Sequence, residues 1–342
     1  MSVPLPTGKL PNSMLGQILE RYLVPDDSLL IAPGVGEDVA AVPVGSEEIL
    51  VLKSDPVTLA TEAIARYAVV VNVNDIVTCG ATPRWLLTTL LFPAGSRREQ
   101  IEDVMQDLRD LCVENGLILC GGHTEITDAV TRPVVVAQAA GTVRRERLIE
   151  KRNMREGHRI LLTKRLAVEG TSIIAREFAE KLRRLGMKPD DVKKCRELLR
   201  NPGISIRREA EIAAASGKVS AMHDVTEGGL STALEELSIA GKHRIRVYMD
   251  QIPYLDQTVE ICRLLEAEPL GLIGSGSLLI CCVAEASEDL GKAIRNAGIE
   301  ATAIGEVLDD GHGIEPLDRT GARISWPHFE VDEIARLGTA LR

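Results

Sequence analysis

The chain predicts an α+β fold in two domains, and three observations carry that expectation. Short apolar runs of strand length alternate with stretches of helical period through both halves. Several neighbouring strands read as antiparallel. A length of 342 residues suits two domains or one large one, and the polar stretch 149–158 reads as a linker. The expected division is a flexible N-terminal arm with a first helix over 1–33, an N-terminal domain over 34–148 and a C-terminal domain over 149–342.

Composition narrows the function. A net charge of −10 argues against a general nucleic-acid or anionic-membrane surface, and an aromatic content of 3% argues against a stacking platform for single strands. An acidic chain still binds a nucleotide where metal ions bridge carboxylates to phosphates. The seven cysteines are Cys79, Cys112, Cys120, Cys195, Cys262, Cys281 and Cys282, with no Cys-x-x-Cys pair, so a zinc knuckle or thioredoxin motif is not indicated. Their mostly apolar neighbours suggest reduced core thiols of a cytoplasmic protein. The opening MSVPLPTGKLPNS has no apolar signal core, and no apolar run reaches membrane-span length without polar interruption.

Residues 1–13, rich in Pro, Gly and Ser, read as mobile. Lys9, beside Gly8, is either a solvated tail charge or a cation that folds over an anionic ligand. Ser13 is placed to cap a helix through Tyr22, with Leu15, Ile18, Leu19 and Leu23 at helical spacing. In Pro33–Val42, Gly34 and Gly36 precede Glu37 and Asp38. Glycines let backbone approach a ligand, and the two carboxylates offer hard oxygens to a divalent cation; an acidic turn is the plainer alternative. The segment is neither a P-loop nor a full dinucleotide fingerprint. Glu48–Lys53 reads as a strand ending at Ser54-Asp55-Pro56, where Asp55 serves an adjoining loop site or starts a turn.

The stretch Arg66–Pro83 sets Asn72, Asn74 and Asp75 into an apolar run, which is costly to bury unless something binds them. Its length from Leu59 to Cys79 favours a helix over a strand, with Asn72, Asp75, Ile76 and Cys79 on one face and Gly80 as the stop. Trp85–Phe92 follows as a strand and Arg97–Asn115 as an amphipathic helix, with Ile101, Val104, Leu108, Leu111 and Cys112 inward. Gly116–Cys120 reads as a short buried strand leading into a Gly-rich turn, Gly121-Gly122-His123-Thr124-Glu125, whose amides suit phosphate. His123 is a structural histidine or a ligand. Arg132–Val143 is a long strand, with Arg144, Arg145 and Arg147 at an exposed edge.

In the second half, Arg159–Lys164 reads as a strand closed by a solvated lysine, followed by a helix over 168–185. Ile206–Ser216 is a helix and Val219–Met222 a strand. His223-Asp224-Val-Thr226-Glu227-Gly228-Gly229 then opens a helix to about Ala240, with Asp224 or Thr226 either its N-cap or part of a site. Gly274–Ser277 is a small loop before the buried strand Leu278–Val283. A helix–strand pair covers Glu288–Val307, and the tail from Asp309 is less regular.

Six of these segments in this order resemble the AIR synthase (PurM) superfamily: GVGEDVAAV at 34–42, SD at 54–55, VNDIVTCGATP at 73–83, GGHTE at 121–125, HDVTEGGL at 223–230 and GSGSLLI at 274–280. The resemblance spans about residues 8–308 and is strongest to hydrogenase-maturation factors of the HypE type and their archaeal relatives. It implies a PurM-like N-terminal domain that pairs into a β-barrel across a homodimer, a C-terminal α/β domain, and ATP near the interface. It implies Asp38, Asp55 and Asp75 for Mg²⁺ and triphosphate, Asp75 and Asp224 as catalytic, and Lys9, Gly36, Asn74, Gly121, Gly122 and Thr124 against the nucleotide. Gly228 and Gly229 match the motif near the substrate. His123 stands where many members carry Asp. The implied chemistry is ATP-dependent phosphoryl transfer to an amide- or carbamoyl-type oxygen, with a carbamoyl-transferring or hydrogenase-maturation protein as partner.

HypE members accept the carbamoyl group on a C-terminal cysteine, whereas this sequence runs Gly338-Thr-Ala-Leu-Arg342 after a last cysteine at Cys282. The missing tail cysteine and His123 motivate a nucleotide-binding partner or regulator without turnover as a competing expectation. A kinase of the thiamine-monophosphate type is the third, sharing the fold. The selenophosphate-synthetase reading is weaker, since no cysteine precedes Cys79.

Overall fold

The computed structural model describes residues 5, 7–58 and 62–340. Residues 1–4 and 6 of the expected arm, and the expected start of the long helix at 59–61, lie outside them. The described chain divides into two compact units. One holds residues 26–32 and 38–148; the other holds the residues up to 25, 33–37 and those from 149 on.

The first helix, α1 (Asn12–Tyr22), belongs to the second unit. Pro11, with φ −56, occupies its N-cap, so Ser13 lies inside the first turn and does not cap it. In the first unit follow β1 (Ala40–Val44), β2 (Glu48–Val57), α2 (Ile64–Thr78), β3 (Thr82–Pro93), α3 (Arg98–Glu114), β4 (Ile118–Thr127) and β5 (Val134–Arg144). They build a five-stranded sheet of order β1-β2-β5-β3-β4. All pairs are antiparallel except β3 with β4, which are parallel because α3 provides the crossover. Ile49, Val51, Leu86, Leu90, Phe92, Val135, Ala137 and Ala139 alternate onto the face that α2 and α3 cover.

α2 is buried at 13 of its 15 positions. A helix apolar on every side belongs inside a core, so the expected single polar seam is instead three polar groups, Asn72, Asn74 and Asp75, within a fully enclosed helix. It begins at Ile64 because Ala63 turns left-handed at φ 56.

The second unit continues with β6 (Arg159–Thr163), α4 (Val168–Glu177), α5 (Ala179–Arg184), α6 (Pro189–Glu197), α7 (Arg207–Ala215), β7 (Val219–Asp224), α8 (Gly229–Gly241), β8 (His243–Tyr248), α9 (Asp256–Leu265), β9 (Leu278–Cys282), α10 (Ser287–Asn296), β10 (Ala301–Asp310), β11 (Ile314–Leu317) and α11 (Glu333–Ala340). Its sheet runs β11-β8-β10-β6-β9-β7, antiparallel throughout except β11 with β8. Every residue of β9 is buried, so it reads as an unbroken apolar run.

Several expectations for this half are corrected. The helix over 168–185 is broken at Phe178 (φ −121, ψ 24) into α4 and α5. The stretch 149–158 is no loose linker: Lys151 and Met154 are buried, and Met154 lies where a Cβ on Gly241 would strike its sulfur. The tail beyond Asp309 forms β11 and α11. All seven cysteines are thiols outside any disulfide. No helix of the described residues is long and apolar enough to cross a membrane.

Candidate functional site

The first unit gathers carboxylates at the end of β2. Lys53 and Asp55 share the inner face of that strand with Ile49 and Val51, two residues apart as the pleat requires. Facing them, α2 presents Asp75. Lys53 Nζ lies 3.2 Å from one Asp55 carboxylate oxygen and 3.4 Å from one of Asp75. The Asn72 side-chain oxygen accepts the Asp55 backbone N–H at 3.2 Å, while its amide donates to the Ala68 carbonyl at 2.9 Å. Asp75 is 3% exposed and Asn74 fully buried beside it. Asp38, buried, lies two residues before β1, whose first residue Ala40 pairs with Leu52 of β2. Asp55 and Asp75 are thus brought together through Lys53, while Asp38 precedes the paired part of β1. Lys53, the cation that joins the pair, was passed over in the sequence because it reads as the last residue of an ordinary strand.

The Gly-rich segment is placed differently from expectation. Gly121–Glu125 is the middle of β4, paired from Gly121 with Leu87 to Glu125 with Leu91, and not a turn. A Cβ on Gly122 (φ 151) would stand 1.9 Å from the Thr88 carbonyl oxygen, so this glycine serves close strand approach. Residues 120–126 are exposed on this edge strand, and His123 Nε2 lies 3.3 Å from Glu125. β5 and β3 separate β4 from β2, about 14 Å at the usual strand spacing. Within the unit, Gly121, Gly122 and Thr124 therefore lie apart from the Asp55–Asp75 pair.

In the second unit, His223 and Asp224 close β7 and do not open the helix. α8 starts after Gly228 (φ 80), so neither Asp224 nor Thr226 is its N-cap. His223 and Asp224 are both buried, with ligating atoms within 4.8 Å of each other. His223 Nε2 lies 3.2 Å from Glu236, whose other oxygen accepts from Lys9 Nζ at 2.7 Å. Burial alone would raise the Glu236 pKa, but His223 and Lys9 outweigh it and hold the carboxyl down at about 2. Lys9 is therefore not a solvated tail charge but the ion-pair partner of a buried carboxylate. Gly36 packs against this same part of α8.

Two further buried carboxyls flank the Gly228–Gly229 turn. Asp332 accepts the Gly228 N–H at 2.6 Å and the Ile334 N–H at 2.7 Å. Glu169 accepts the Ser275 N–H at 3.0 Å. Burial, outweighing these donors and aided by the Glu227 charge, raises both to about 7. Neither was singled out in the sequence, where Glu169 looked like a residue of a helix start and Asp332 lay in an irregular tail. Lys164, expected in solvent, is buried and donates to Ser205 O at 2.6 Å, Glu209 at 2.6 Å and Gly276 O at 2.8 Å. Burial pushes the thiols of Cys112 and Cys282 up to about 11 and those of Cys195, Cys262 and Cys281 up to about 12, so none of these five is a nucleophilic thiolate near neutrality.

Comparison with known proteins agrees with this architecture. Residues 36–143 match the family described as AIR synthase related protein, N-terminal domain, and residues 155–317 match its C-terminal domain. A putative hydrogenase expression/formation protein of Methanocaldococcus jannaschii is 26% identical over 328 residues, covering 93% of each chain. A carbamoyl dehydratase HypE of Cupriavidus necator is 24% identical over 307 residues, covering 86% of this chain and 82% of that one. The solved structure of a hydrogenase maturation protein HypE in complex with ATP superposes with a TM-score of 0.72 at 19% identity, covering 93% of this chain and 91% of the other. At that identity the likeness is one of fold: a two-domain, PurM-like α+β architecture. With both matched segments in register along most of its length, the chain belongs to the AIR synthase related protein family.

Proposed function

We propose that the protein uses ATP and Mg²⁺ to activate an amide- or carbamoyl-type oxygen by phosphoryl transfer, as a HypE-like maturation enzyme. The observation that carries this reading is the convergence of Asp55 and Asp75 on Lys53, with the buried Asp38 just ahead of the adjoining strand β1. Two carboxylates already sharing one cation form a hard-oxygen donor set that suits a divalent ion. Asp38, Asp55 and Asp75 would hold the magnesium, which when bound supplies charge neutralisation at a triphosphate. Asp75, enclosed in α2, keeps its carboxylate fixed in direction. Asn74, Gly36, Gly121, Gly122 and Thr124 contribute polar and backbone contacts to the nucleotide in this reading, and Asp224 faces the acceptor. Residues 34–148 then supply nucleotide handling and 149–342 the acceptor side.

The acceptor follows from the names carried by the relatives, a hydrogenase expression/formation protein and a carbamoyl dehydratase. Phosphorylation of an amide-type oxygen turns a poor leaving group into phosphate. Its departure with the two nitrogen protons leaves a nitrile-type product. A carbamoyl-transferring or hydrogenase-maturation protein is the matching partner, and a homodimer the matching assembly. Thiols outside disulfides suit a cytoplasmic setting.

The test is Mg²⁺-dependent phosphate release from ATP in the presence of carbamoyl-bearing acceptors. Asp38→Ala and Asp75→Ala are each expected to lower turnover by about 100-fold or more. Undiminished turnover in both variants removes the reading. Calorimetric ATP binding without phosphate release across all acceptors would point to a nucleotide-binding regulator instead.

A further inference from the structure

Glu236 lies in the run Glu-Glu-Leu of an amphipathic helix and attracts no notice in the sequence, yet three separate motifs meet on it. Its two carboxylate oxygens take different partners: Lys9 Nζ at 2.7 Å on one and His223 Nε2 at 3.2 Å on the other. Its backbone carbonyl stands 2.2 Å from where a Cβ on Gly36 would be, so the Gly34–Glu37 turn lies directly on this turn of α8. Gly36 can have no side chain there, both for that reason and because of its φ of 82. The side chains of Glu236 and His223 are each 4% exposed, whereas that of Lys9 is 39% exposed. The arm also runs beside the C-terminal segment, with Gly8 near Val331.

We propose that Glu236 is the latch of the N-terminal arm and the positioning residue for His223. Lys9 is one cation that both a buried carboxylate and an incoming polyphosphate can claim. When Lys9 leaves, Glu236 still keeps His223 on its second oxygen, so release does not leave the buried carboxylate without a hydrogen-bond partner. The partly exposed lysine moves while the buried pair stays, and the arm opens when an anionic ligand competes for its ammonium. This deepens the ATP reading above and rests on it for the identity of the competing anion.

The latch is tested first without nucleotide. Native-state proteolysis of residues 7–11 by proteinase K, read by intact mass, is compared among wild type, Glu236→Gln, Lys9→Gln and the double variant. Cleavage in this regime follows the population of the open arm. Each single change is expected to speed cleavage by about tenfold, and the double variant to be no faster than the faster single, because both remove one interaction. Unchanged cleavage in Lys9→Gln, whose side chain is not part of the core, overturns the proposal, as does a double variant whose effect is the product of the singles. With Mg-ATP, Glu236→Gln is expected to lower the KM for ATP severalfold and Lys9→Gln to raise it. An arm contact that was merely structural would leave both KM values unmoved. Absence of turnover in the wild type would remove the ATP reading while the nucleotide-free cycle still stands on its own.

Discussion

Lys53 is a single ammonium set between two acids, with its side chain 19% exposed, Asp75 at 4% and Asp55 at 35%. Lys53→Met removes the charge but keeps most of the apolar stem. The expected loss is about 1–3 kcal/mol, less than for a fully buried pair because Asp55 stays partly in water. If the carboxylates accept a divalent ion, added Mg²⁺ raises the melting temperature of Lys53→Met more than that of wild type, since the ion takes up the lost charge. Scanning fluorimetry across a magnesium titration measures this, and equal shifts in both proteins would argue that the pair binds no metal. Lys164 gives a sharper case. Its ammonium and the Glu209 carboxylate are both buried, at 2.6 Å. Lys164→Met leaves the enclosed Glu209 without its cation, with an expected cost of about 3–5 kcal/mol in a urea titration. The sequence showed Asp55 and Asp75 as candidates because acids at a strand end and inside an apolar run are conspicuous. It did not show Lys53, Lys164 or Glu236, since a lysine at a strand end and a glutamate on a helix look the same whether their partner is water or a residue distant in the chain.

The elements were more legible than their ends. α2 was readable because an apolar run too long for a strand has to coil, but its start at Ile64 depends on a left-handed Ala63 that no residue pattern announces. The paired glycines at 121–122 signalled a turn, yet both lie in β4, and at Gly122 the Thr88 carbonyl occupies the space of a side chain. α11 was not foreseen, and its N-terminus explains why it forms. Asp332 accepts the Ile334 N–H as a cap and also holds the Gly228 N–H, while Glu333 accepts the Glu268 N–H at 3.2 Å. Facing Asp332 are Glu169 and Glu227, both acidic. With Asp332 and Glu169 raised to about 7, both are protonated in the folded chain at mildly acidic pH. Their contribution to stability is fully present below their ordinary values of 3.8 and 4.5 and is lost as pH rises through about 7. Glu236, lowered to about 2, acts in the opposite sense: its contribution is present above 4.5 and lost as pH falls toward 2. Calorimetry from pH 5 to 8 should therefore show the second unit's transition falling. Asp332→Asn should flatten that slope, and an unchanged slope would remove these carboxyls as its cause.

At the scale of the molecule, the first unit's sheet covers only one of its faces with helices. Leu52, Leu87 and Ile118 are 40%, 39% and 61% exposed, and the edge strand β4 is exposed along most of its length. Monomeric proteins seldom leave an apolar sheet surface and an open edge together. A homodimer closing over this face is the expected state, and sedimentation equilibrium checks it: Leu87→Glu should shift the protein toward monomer, whereas a wild type that stays monomeric at micromolar concentration would contradict it. The two-domain expectation rested on the alternation of elements and on segment 149–158, whose buried Lys151 and Met154 show how a polar run can still be part of a core. The strand order of either sheet was not readable, because pairing between distant strands is settled by packing and leaves no local pattern. The meeting of Gly8 with Val331 beside the Asp332-held Gly228 turn has a practical side. Bulk added at Gly8 would crowd this corner, so a label or handle belongs in an open surface loop, such as the one around Gly186 where an added side chain meets nothing.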